Sequence, residues 1–265
     1  MKAVILAGGF GTRISEESQF KPKPMLEIGE MPILWHIMKG YSAHGVDEFI
    51  ICAGYKQHVI KEWFSDYFLH TSDITFDFTK GNELIVHDKH AEKWKVTIVD
   101  TGLNTMTGGR VKRIQKYVGN TPFYLTYGDA VSDVNISELT KFHRSHGKCV
   151  TLTAVGIAQM KGVLQIGNAD TVTAFREKGE EDGELINGGF MVCNPEIFDY
   201  LDNDATILEQ ITMQRLVAAG ELKSFCHKGF WQCMDTKREK DRQQQLHYSC
   251  IGQIYCNNCQ QRYLL

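Results

Sequence analysis

The chain has 265 residues, a formal net charge of −3 and 43% hydrophobic residues. This length suits one large α/β domain or two small ones and is enough to bury a substantial core. Charges of both signs are interspersed, which excludes the basic stripe of a nucleic-acid-binding protein and the polybasic patch of a membrane-surface protein. No apolar segment approaches the roughly 18 residues of a membrane span, and no signal-peptide pattern is present, so we expect a cytoplasmic protein.

Strand and helix signals alternate along the first part of the chain. Apolar, β-branched runs at residues 2–7 and 47–54 predict buried strands. Each is followed by a segment with helical spacing, at residues 32–45 and 58–70. Strands that alternate with helices predict a parallel sheet covered by helices on both faces.

The alternation continues after an interruption at residues 74–99, whose short strand patterns around the turn sequence KGN predict a hairpin insertion. Later helix signals cover residues 107–119, 139–147, 206–221 and the charged end of 231–246. Later strand signals cover residues 121–134, 149–155, 163–179 (two strands joined by a turn), 185–201 (a strand running into a helix) and 222–230. No repeat or linker separates them, so we predict one compact domain with a smaller C-terminal lobe.

Eight cysteines are present. Five are scattered, mostly in or beside apolar runs, and are interpreted as buried thiols in a reducing compartment: Cys52, Cys149, Cys193, Cys226 and Cys233. The other three are Cys250, Cys256 and Cys259, near the C-terminus. A single C-x-x-C pair without a second one is weak evidence for zinc, and we expect no metal there.

A glycine-rich turn, GGFGTR, follows the first predicted strand. Gly8, Gly9 and Gly11 let backbone N–H groups approach a ligand closely, and Thr12 and Arg13 add a hydroxyl and a cation. The turn matches neither the dinucleotide-binding G-x-G-x-x-G pattern nor a P-loop. It is therefore a candidate phosphate-binding loop, and an ordinary glycine-rich turn is the alternative.

Three charged residues support a phosphate site. Lys23 lies between two prolines that fix its backbone, which favours a cation held in place. Asp129 follows a predicted parallel strand, at the edge where ligands of α/β sheets bind, and Asp235 precedes a charged helix. Each aspartate alone is better explained as a helix cap or turn residue. Two carboxylates near phosphates suit Mg²⁺, which is the interpretation we favour for the set.

The sequence resembles the sugar nucleotidyltransferases, and within them the glucose-1-phosphate cytidylyltransferase branch. The motifs that carry the resemblance extend from residue 1 to about residue 240: MKAVILAGGFGTR, KPKPM, PILWHIMK, GYKQHVIKEWF, VDTGLNTMTGGRVKR, TYGD, INGGF and GFWQCMDTKREK. The first motif indicates only the superfamily, whereas the VDTG, MTGGR and GFWQ segments are specific to the cytidylyl branch.

The resemblance implies a Rossmann-like, mostly parallel mixed sheet flanked by helices. It implies the reaction of CTP with α-D-glucose 1-phosphate to CDP-glucose and diphosphate, in deoxysugar and surface polysaccharide synthesis. Lys23 and Arg13 would be catalytic, and Asp129 and Asp235 would bind Mg²⁺. Nucleotide binding would involve Leu6, Ala7, Gly8, Gly9, Gly11, Thr12, Arg13, Lys23, Thr105, Arg110 and Gly128. Acceptor binding would involve Gly162, Glu177, Lys178, Asn187, Gly188 and Trp231.

The predicted organisation is a domain at residues 1–240, with a nucleotide-binding part up to about 135 and an acceptor-binding part from about 136, and a divergent tail at 241–265. We expect a homo-oligomer that uses CTP and a phosphate-bearing small molecule. Departures from the family pattern lie on the acceptor side, at Ala130, Met160, Lys161 and Gly179. Another phosphate ester, whether a sugar or not, is therefore the alternative acceptor.

Two other classes of protein fit the sequence less well. An inactive regulatory subunit would not need both aspartates, Lys23 and Arg13. A Rossmann dehydrogenase would need an acidic residue about 20 positions after the glycines, where this chain has KPKP. His36, His143 and His146 lie on predicted helices and are expected to be packing or surface residues rather than catalysts.

Overall fold

The computed structural model describes residues 1–89, 91–156, 163–166, 172–176 and 185–249. The strands are β1 Ala3–Ala7, β2 Glu27–Ile28, β3 Met31–Pro32, β4 Glu48–Ala53, β5 Ser72–Asp77, β6 Glu83–Lys89, β7 Lys95–Asp100, β8 Phe123–Tyr127, β9 Ala130–Ser132, β10 Val150–Gly156, β11 Val163–Ile166, β12 Val172–Arg176, β13 Leu185–Asn187, β14 Met191–Cys193, β15 Leu222–His227 and β16 Trp231–Cys233. The α-helices are α1 Ser15–Ser18, α2 Ile33–Ser42, α3 Gln57–His70, α4 Thr107–Arg113, α5 Gln115–Val118, α6 Ile136–His146, α7 Met213–Ala218 and α8 Lys237–Ser249.

A central mixed sheet has the strand order β13-β10-β14-β8-β1-β4-β7, and β15 also pairs with β10. Strands β8, β1, β4 and β7 are mutually parallel. The antiparallel β14 lies between β8 and β10. The predicted α/β class with a mostly parallel mixed sheet is thus confirmed.

Both faces of the sheet are covered, which explains the continuous apolar sequence of β1. Alternate side chains of β1 enter opposite cores: Ile5 packs with residues of α2, α3 and α6, and Leu6 packs with residues of α4, α5 and α7. All five residues of β1 are buried. A strand covered on both sides needs no polar face, and its run of apolar residues follows from that.

The largest difference from the sequence-based prediction is β7. Residues 74–99 were expected to form one hairpin insertion, but only β5 and β6 form the hairpin, with Gly81 and Asn82 at positive φ in its turn. β7 instead pairs with β4 in the main sheet. No glycine or proline separates the hairpin from β7, so the sequence carried no signal for the boundary.

Four further predictions are corrected. The predicted helix at 107–119 divides into α4 and α5 at Ile114, whose φ of −94° and ψ of 3° lie outside the helical region. The predicted strand from 185 divides into β13 and β14, because Gly189 and Phe190 both have positive φ. The helix expected from residue 206 begins as a π-helical turn at Leu208–Thr212. Cys226 is exposed on β15 rather than buried.

The C-terminal helix α8 includes residue 240, so the division proposed there falls within a helix. Cys250, Cys256 and Cys259 lie outside the described residues. In the described ranges, no helix has the length and apolar character needed to cross a membrane.

Candidate active site

A cavity of about 580 Å³ opens at the carboxyl ends of β1 and β8. Ligands of open α/β sheets bind at this edge, where loops from neighbouring strands converge. The residues that line the cavity come from six parts of the chain: 6–12 and 14, 23–24, 103–107, 110, 127–129, and 235. The structure therefore brings most of the predicted nucleotide-binding residues together.

The glycine-rich turn forms one wall of the cavity. Leu6 to Thr12 all contribute to the lining, and Gly11 has a φ of +66°, which favours glycine. Gly128, which directly follows β8, donates its N–H to the Leu6 carbonyl oxygen at 3.0 Å. A side-chain carbon at Gly128 would lie 2.9 Å from that oxygen. The side chain of Arg13 lies outside the described part of the structure.

Arg110 connects three loops beneath this wall. Arg110 is 4% exposed. Nη2 donates to the carbonyl oxygens of Gly8 and Leu103 at 2.9 and 3.2 Å. Nη1 donates to Thr101 Oγ1 and the Gly102 carbonyl oxygen at 2.7 Å each, and to that of Ala53 at 3.3 Å.

The Arg110 guanidinium also explains two glycines that a phosphate-binding role would not require. A side-chain carbon at Gly8 would lie 2.1 Å from Arg110 Nη1, and one at Gly54 would lie 2.5 Å from it. Both η nitrogens are engaged with protein oxygens. Arg110 was expected to hold the nucleotide, and its observed contacts hold the loops that line the cavity.

Lys23 lies between the two predicted metal ligands. Its Nζ is 2.7 Å from Asp129 Oδ2 and 2.6 Å from Asp235 Oδ1. Lys23 is 9% exposed and begins a 3₁₀ turn, Lys23–Met25. Pro22 and Pro24 flank it, as the sequence indicated.

A small antiparallel strand pair brings the two aspartates together. β16 pairs with β9, placing Cys233 opposite Ala130. The next step of this ladder is the bond from Met234 N–H to the Asp129 carbonyl oxygen, at 2.9 Å. Asp235 therefore follows directly beside Asp129. Ala130, a departure from the family pattern, is a buried residue of this pair.

The electrostatics of the triad favour a bound cation. Burial acts against the charged form of Lys23, but the charges and hydrogen bonds of Asp129 and Asp235 outweigh it and raise the pKa of the ammonium. Within the described ranges no group of three or more His, Cys, Asp or Glu residues could hold a metal ion. A metal bound to the aspartate pair would need ligands from a substrate, which is the coordination that Mg²⁺ prefers with phosphates.

The opposite wall of the cavity is built by residues 103–107. Thr105, which was predicted to bind the nucleotide, is buried there. The N–H groups of Gly108 and Gly109, at the start of α4, both donate to the Thr206 carbonyl oxygen, at 2.9 and 3.2 Å. These two N–H groups are therefore engaged within the protein. Among the cavity residues that were not predicted from the sequence are three large apolar side chains, each at least 44% exposed: Phe10, Leu103 and Met106.

The acceptor side is described in part. Gly162, Glu177 and Lys178 lie outside the described residues, as do Met160, Lys161 and Gly179. Asn187, Gly188 and Trp231 do lie together: Trp231 Nε1 donates to the Gly188 carbonyl oxygen at 2.8 Å. Asn187 Oδ1 accepts from Gly189 N–H at 3.0 Å.

Tyr127 and Glu209 are site residues that sequence reasoning missed. The Tyr127 hydroxyl donates to Glu209 Oε1 at 2.7 Å, and Thr107 Oγ1 donates to Glu209 Oε2 at 2.6 Å. Tyr127 and Thr107 both line the cavity. Glu209 lies 82 residues after Tyr127, and no local motif marks it.

The three histidines are packing residues as expected, and the cavity lining includes none of them. His36 is buried beside the Ile28 carbonyl oxygen at 2.8 Å, and burial lowers its pKa to about 4. His143 and His146 both contact the buried Thr151 hydroxyl, at 2.8 and 2.7 Å, and burial lowers the pKa of each.

The sequence profile of the Nucleotidyl transferase family matches residues 2–236. The chain therefore belongs to this family and is a nucleotidyltransferase. It is 56% identical over 241 residues to the glucose-1-phosphate cytidylyltransferase of Salmonella typhimurium, with 91% of this chain and 93% of that protein covered. A Bacillus subtilis protein described as a probable glucose-1-phosphate cytidylyltransferase is 42% identical over 237 residues, with 89% and 92% covered. The resemblance found in the sequence is confirmed.

A solved structure shows the same fold at much lower identity. HddC from Yersinia pseudotuberculosis, complexed with GMP-PN, aligns with a TM-score of 0.67 and 22% identity. The alignment covers 92% of this chain and 98% of that chain.

Proposed function

We propose that the protein is a Mg²⁺-dependent cytidylyltransferase that converts CTP and α-D-glucose 1-phosphate into CDP-glucose and diphosphate. The observation that carries this proposal is the ion triad of Lys23, Asp129 and Asp235 at one end of a glycine-walled cavity. The 56% identity to the Salmonella typhimurium enzyme supports the choice of CTP and glucose 1-phosphate.

The proposed reaction does not require the protein to act as a general base. A sugar phosphate is largely dianionic at neutral pH, since its second pKa is about 6, and it can attack the α-phosphorus of CTP without a general base. One P–O bond forms to the sugar phosphate oxygen, and the bond to the β-phosphate breaks, releasing diphosphate. Charge neutralisation and alignment of the reactants then provide the rate enhancement.

Each described residue has a part in that scheme. The glycine-rich turn would cradle the triphosphate, and Lys23 would move its ammonium from the aspartates to the phosphates as charge develops there. Arg13 is assigned to the leaving diphosphate from the sequence alone. Arg110 would keep the loops at the ends of β1, β4 and β7 in register around the nucleotide.

The donor set at Asp129 and Asp235 fits Mg²⁺. Both carboxylates contact one cation, Lys23 Nζ, so a single metal ion can also contact both. Carboxylate oxygens with substrate phosphate oxygens are the hard ligands this ion prefers. The metal would supply electrostatic stabilisation of the reacting phosphates.

The acceptor is the part of the proposal with an alternative. The departures at Ala130, Met160, Lys161 and Gly179 fall on the acceptor side, so a different phosphate ester would alter the substrate and leave cytidylyl transfer intact. We further propose that the enzyme is a cytoplasmic homo-oligomer supplying nucleotide sugar for deoxysugar and surface polysaccharide synthesis.

The proposal is tested by measuring diphosphate release from each of the four ribonucleoside triphosphates against a panel of phosphate esters. We expect release with CTP and glucose 1-phosphate and dependence on Mg²⁺. Release with CTP and only another ester would replace the sugar. No release from CTP with any ester, in the presence of Mg²⁺, would contradict cytidylyl transfer.

A further inference from the structure

A π-helical turn at Leu208–Thr212 presents Glu209 at the rim of the cavity. Such turns are rare and recur at functional sites. The Glu209 carboxylate joins two cavity-lining residues from different elements, Thr107 at the start of α4 and Tyr127 at the end of β8. Thr107 Oγ1 also accepts from Leu208 N–H at 3.0 Å, which ties the turn back to α4. Glu209 is thus fixed on one side and directed at Tyr127 on the other.

The bond from Tyr127 to Glu209 sets the direction of the phenol hydrogen. An ionised carboxylate can only accept, so the Tyr127 hydroxyl must donate to it. A phenol hydroxyl keeps its hydrogen at neutral pH, since the ordinary pKa of a tyrosine side chain is about 10. In its remaining directions Tyr127 Oη therefore presents lone pairs and no hydrogen.

Asn187 stands beside Tyr127 with its amide also oriented. Its Oδ1 accepts from Gly189 N–H at 3.0 Å, which assigns the other end of the amide as the NH₂ group. Asn187 Nδ2 lies 3.4 Å from Tyr127 Oη, which is long for a hydrogen bond. A substrate hydroxyl placed between the two groups would form a shorter hydrogen bond with each. The site thus presents a donor next to an acceptor.

We propose that Glu209 is a positioning residue: by holding Tyr127 Oη as an acceptor, it lets Tyr127 and Asn187 bind one hydroxyl group of the acceptor substrate together. A hydroxyl both donates and accepts, so it satisfies the two groups at once. The pair then selects a phosphate ester that carries a hydroxyl at this point over one that lacks it. This rests on the proposed function, in which the acceptor is a sugar phosphate.

The test compares glucose 1-phosphate with its monodeoxy analogues in wild type, Tyr127→Phe, Glu209→Met and Glu209→Gln. The wild type should lose at least about tenfold in kcat/KM with one analogue, because the donor and acceptor are then left unpaired. Tyr127→Phe and Glu209→Met should raise KM for glucose 1-phosphate by about tenfold and abolish discrimination against that analogue. KM for CTP should stay within about twofold.

Glu209→Gln separates polarity from charge. Its amide oxygen can still accept from Tyr127 while its NH₂ group donates to Thr107, so it should retain discrimination within about threefold of wild type. The double variant of Tyr127→Phe with Glu209→Met should be no worse than Tyr127→Phe alone, because Glu209 acts through Tyr127. Glu62→Met, an exposed carboxylate lost from α3, is the matched control and should behave as wild type.

The inference is overturned if Glu209→Met discriminates among the analogues as wild type does. It is also overturned if that variant raises KM for CTP and for the sugar phosphate equally, which would mark a purely structural role. If the wild type rejects glucose 1-phosphate, the sugar assignment fails instead. The same variants are then compared on the accepted ester and its deoxy form, with the same outcomes deciding.

Discussion

Lys23 and Asp235, 212 residues apart in the sequence, are joined by a contact of 2.6 Å between Nζ and Oδ1. Because Asp129 approaches the same nitrogen, one ammonium group lies between the two carboxylates. In the proposed reaction Lys23 therefore has two kinds of partner, the aspartates and the substrate phosphates. The first two predictions follow from this arrangement.

Lys23→Met should lower kcat by roughly 10²- to 10³-fold and raise KM for CTP by less than about tenfold. The reason is that a cation beside the reacting phosphates stabilises charge that moves in the transition state. Steady-state kinetics at saturating Mg²⁺ provide the measurement. Lys21→Met, which removes an exposed lysine two residues away, is the control. A rise in KM with unchanged kcat would mean that Lys23 only binds substrate.

The same pair predicts how stability depends on pH. The pKa of Lys23 is raised above 10.5 in the folded protein, so its contribution to the free energy of unfolding is complete below about pH 10.5 and is lost as pH rises through the folded value. We expect Lys23→Met to be less stable than wild type by about 2 kcal/mol at pH 8, since two adjacent carboxylates lose their counter-charge. Urea unfolding of both proteins from pH 8 to 11.5 should show this difference shrinking only at the alkaline end. A constant difference would contradict it.

Asp129→Asn and Asp235→Asn should each reduce turnover by at least about 10³-fold with the fold intact, because each removes one hard ligand and one negative charge from the cation site. Diphosphate release and a far-UV circular dichroism spectrum together test this. Asp133→Asn, at the other end of β9 from Asp129 and paired with His227 at 2.9 Å, is the comparison. Near-normal activity of either variant at saturating Mg²⁺ would exclude that residue as a ligand.

Arg110→Lys should lower the free energy of unfolding by about 2–4 kcal/mol, because an ammonium cannot reach the carbonyl oxygens that the guanidinium satisfies. KM for CTP should rise as well, since the loops that line the cavity are no longer held together by Arg110. Denaturant unfolding and kinetics measure both effects. Arg113→Lys is the control. Arg113 lies on the same helix as Arg110 and forms an exposed ion pair with Asp204, so its substitution should change the free energy of unfolding little. Equal effects of the two substitutions would contradict the role given to Arg110.

The wild type should prefer CTP over UTP by at least about 100-fold, because exchanged amino and carbonyl groups leave buried partners unpaired. Arg110 and Thr107 are engaged with the protein, so the polar side chains of the 103–107 wall that remain for base recognition are Asn104 and Thr105. Asn104→Ala should therefore reduce the preference. Equal wild-type rates with CTP and UTP would contradict this interpretation.

The nucleotide side of the site could be predicted because its residues lie in short motifs at strand ends. The alternation of strands and helices likewise predicted the fold class, apart from β7, which no turn residue separates from the hairpin. Asp129 and Asp235 were paired from the chemistry of two carboxylates near phosphates and from the family resemblance, and the β9–β16 ladder explains their proximity.

The contacts of Arg110 and Glu209 could not be predicted from the sequence. The carbonyl oxygens that bind Arg110 exist at every residue and leave no mark in the sequence. Glu209 meets Tyr127 and Thr107 across 82 and 102 residues, and only tertiary packing defines that meeting. The sequence showed glycines at 8 and 54 without showing that one of their neighbours is a guanidinium.

The position of β14 governs how the chain can fold during synthesis. β8 has β1 on one side and β14 on the other, so until residue 193 has left the ribosome its second edge offers unpaired N–H and C=O groups to any passing strand. The first 127 residues contain the four parallel strands, so a sheet built from them alone would leave that edge of β8 open. We therefore expect chains arrested between residues 127 and 191 to aggregate more readily than the full-length chain.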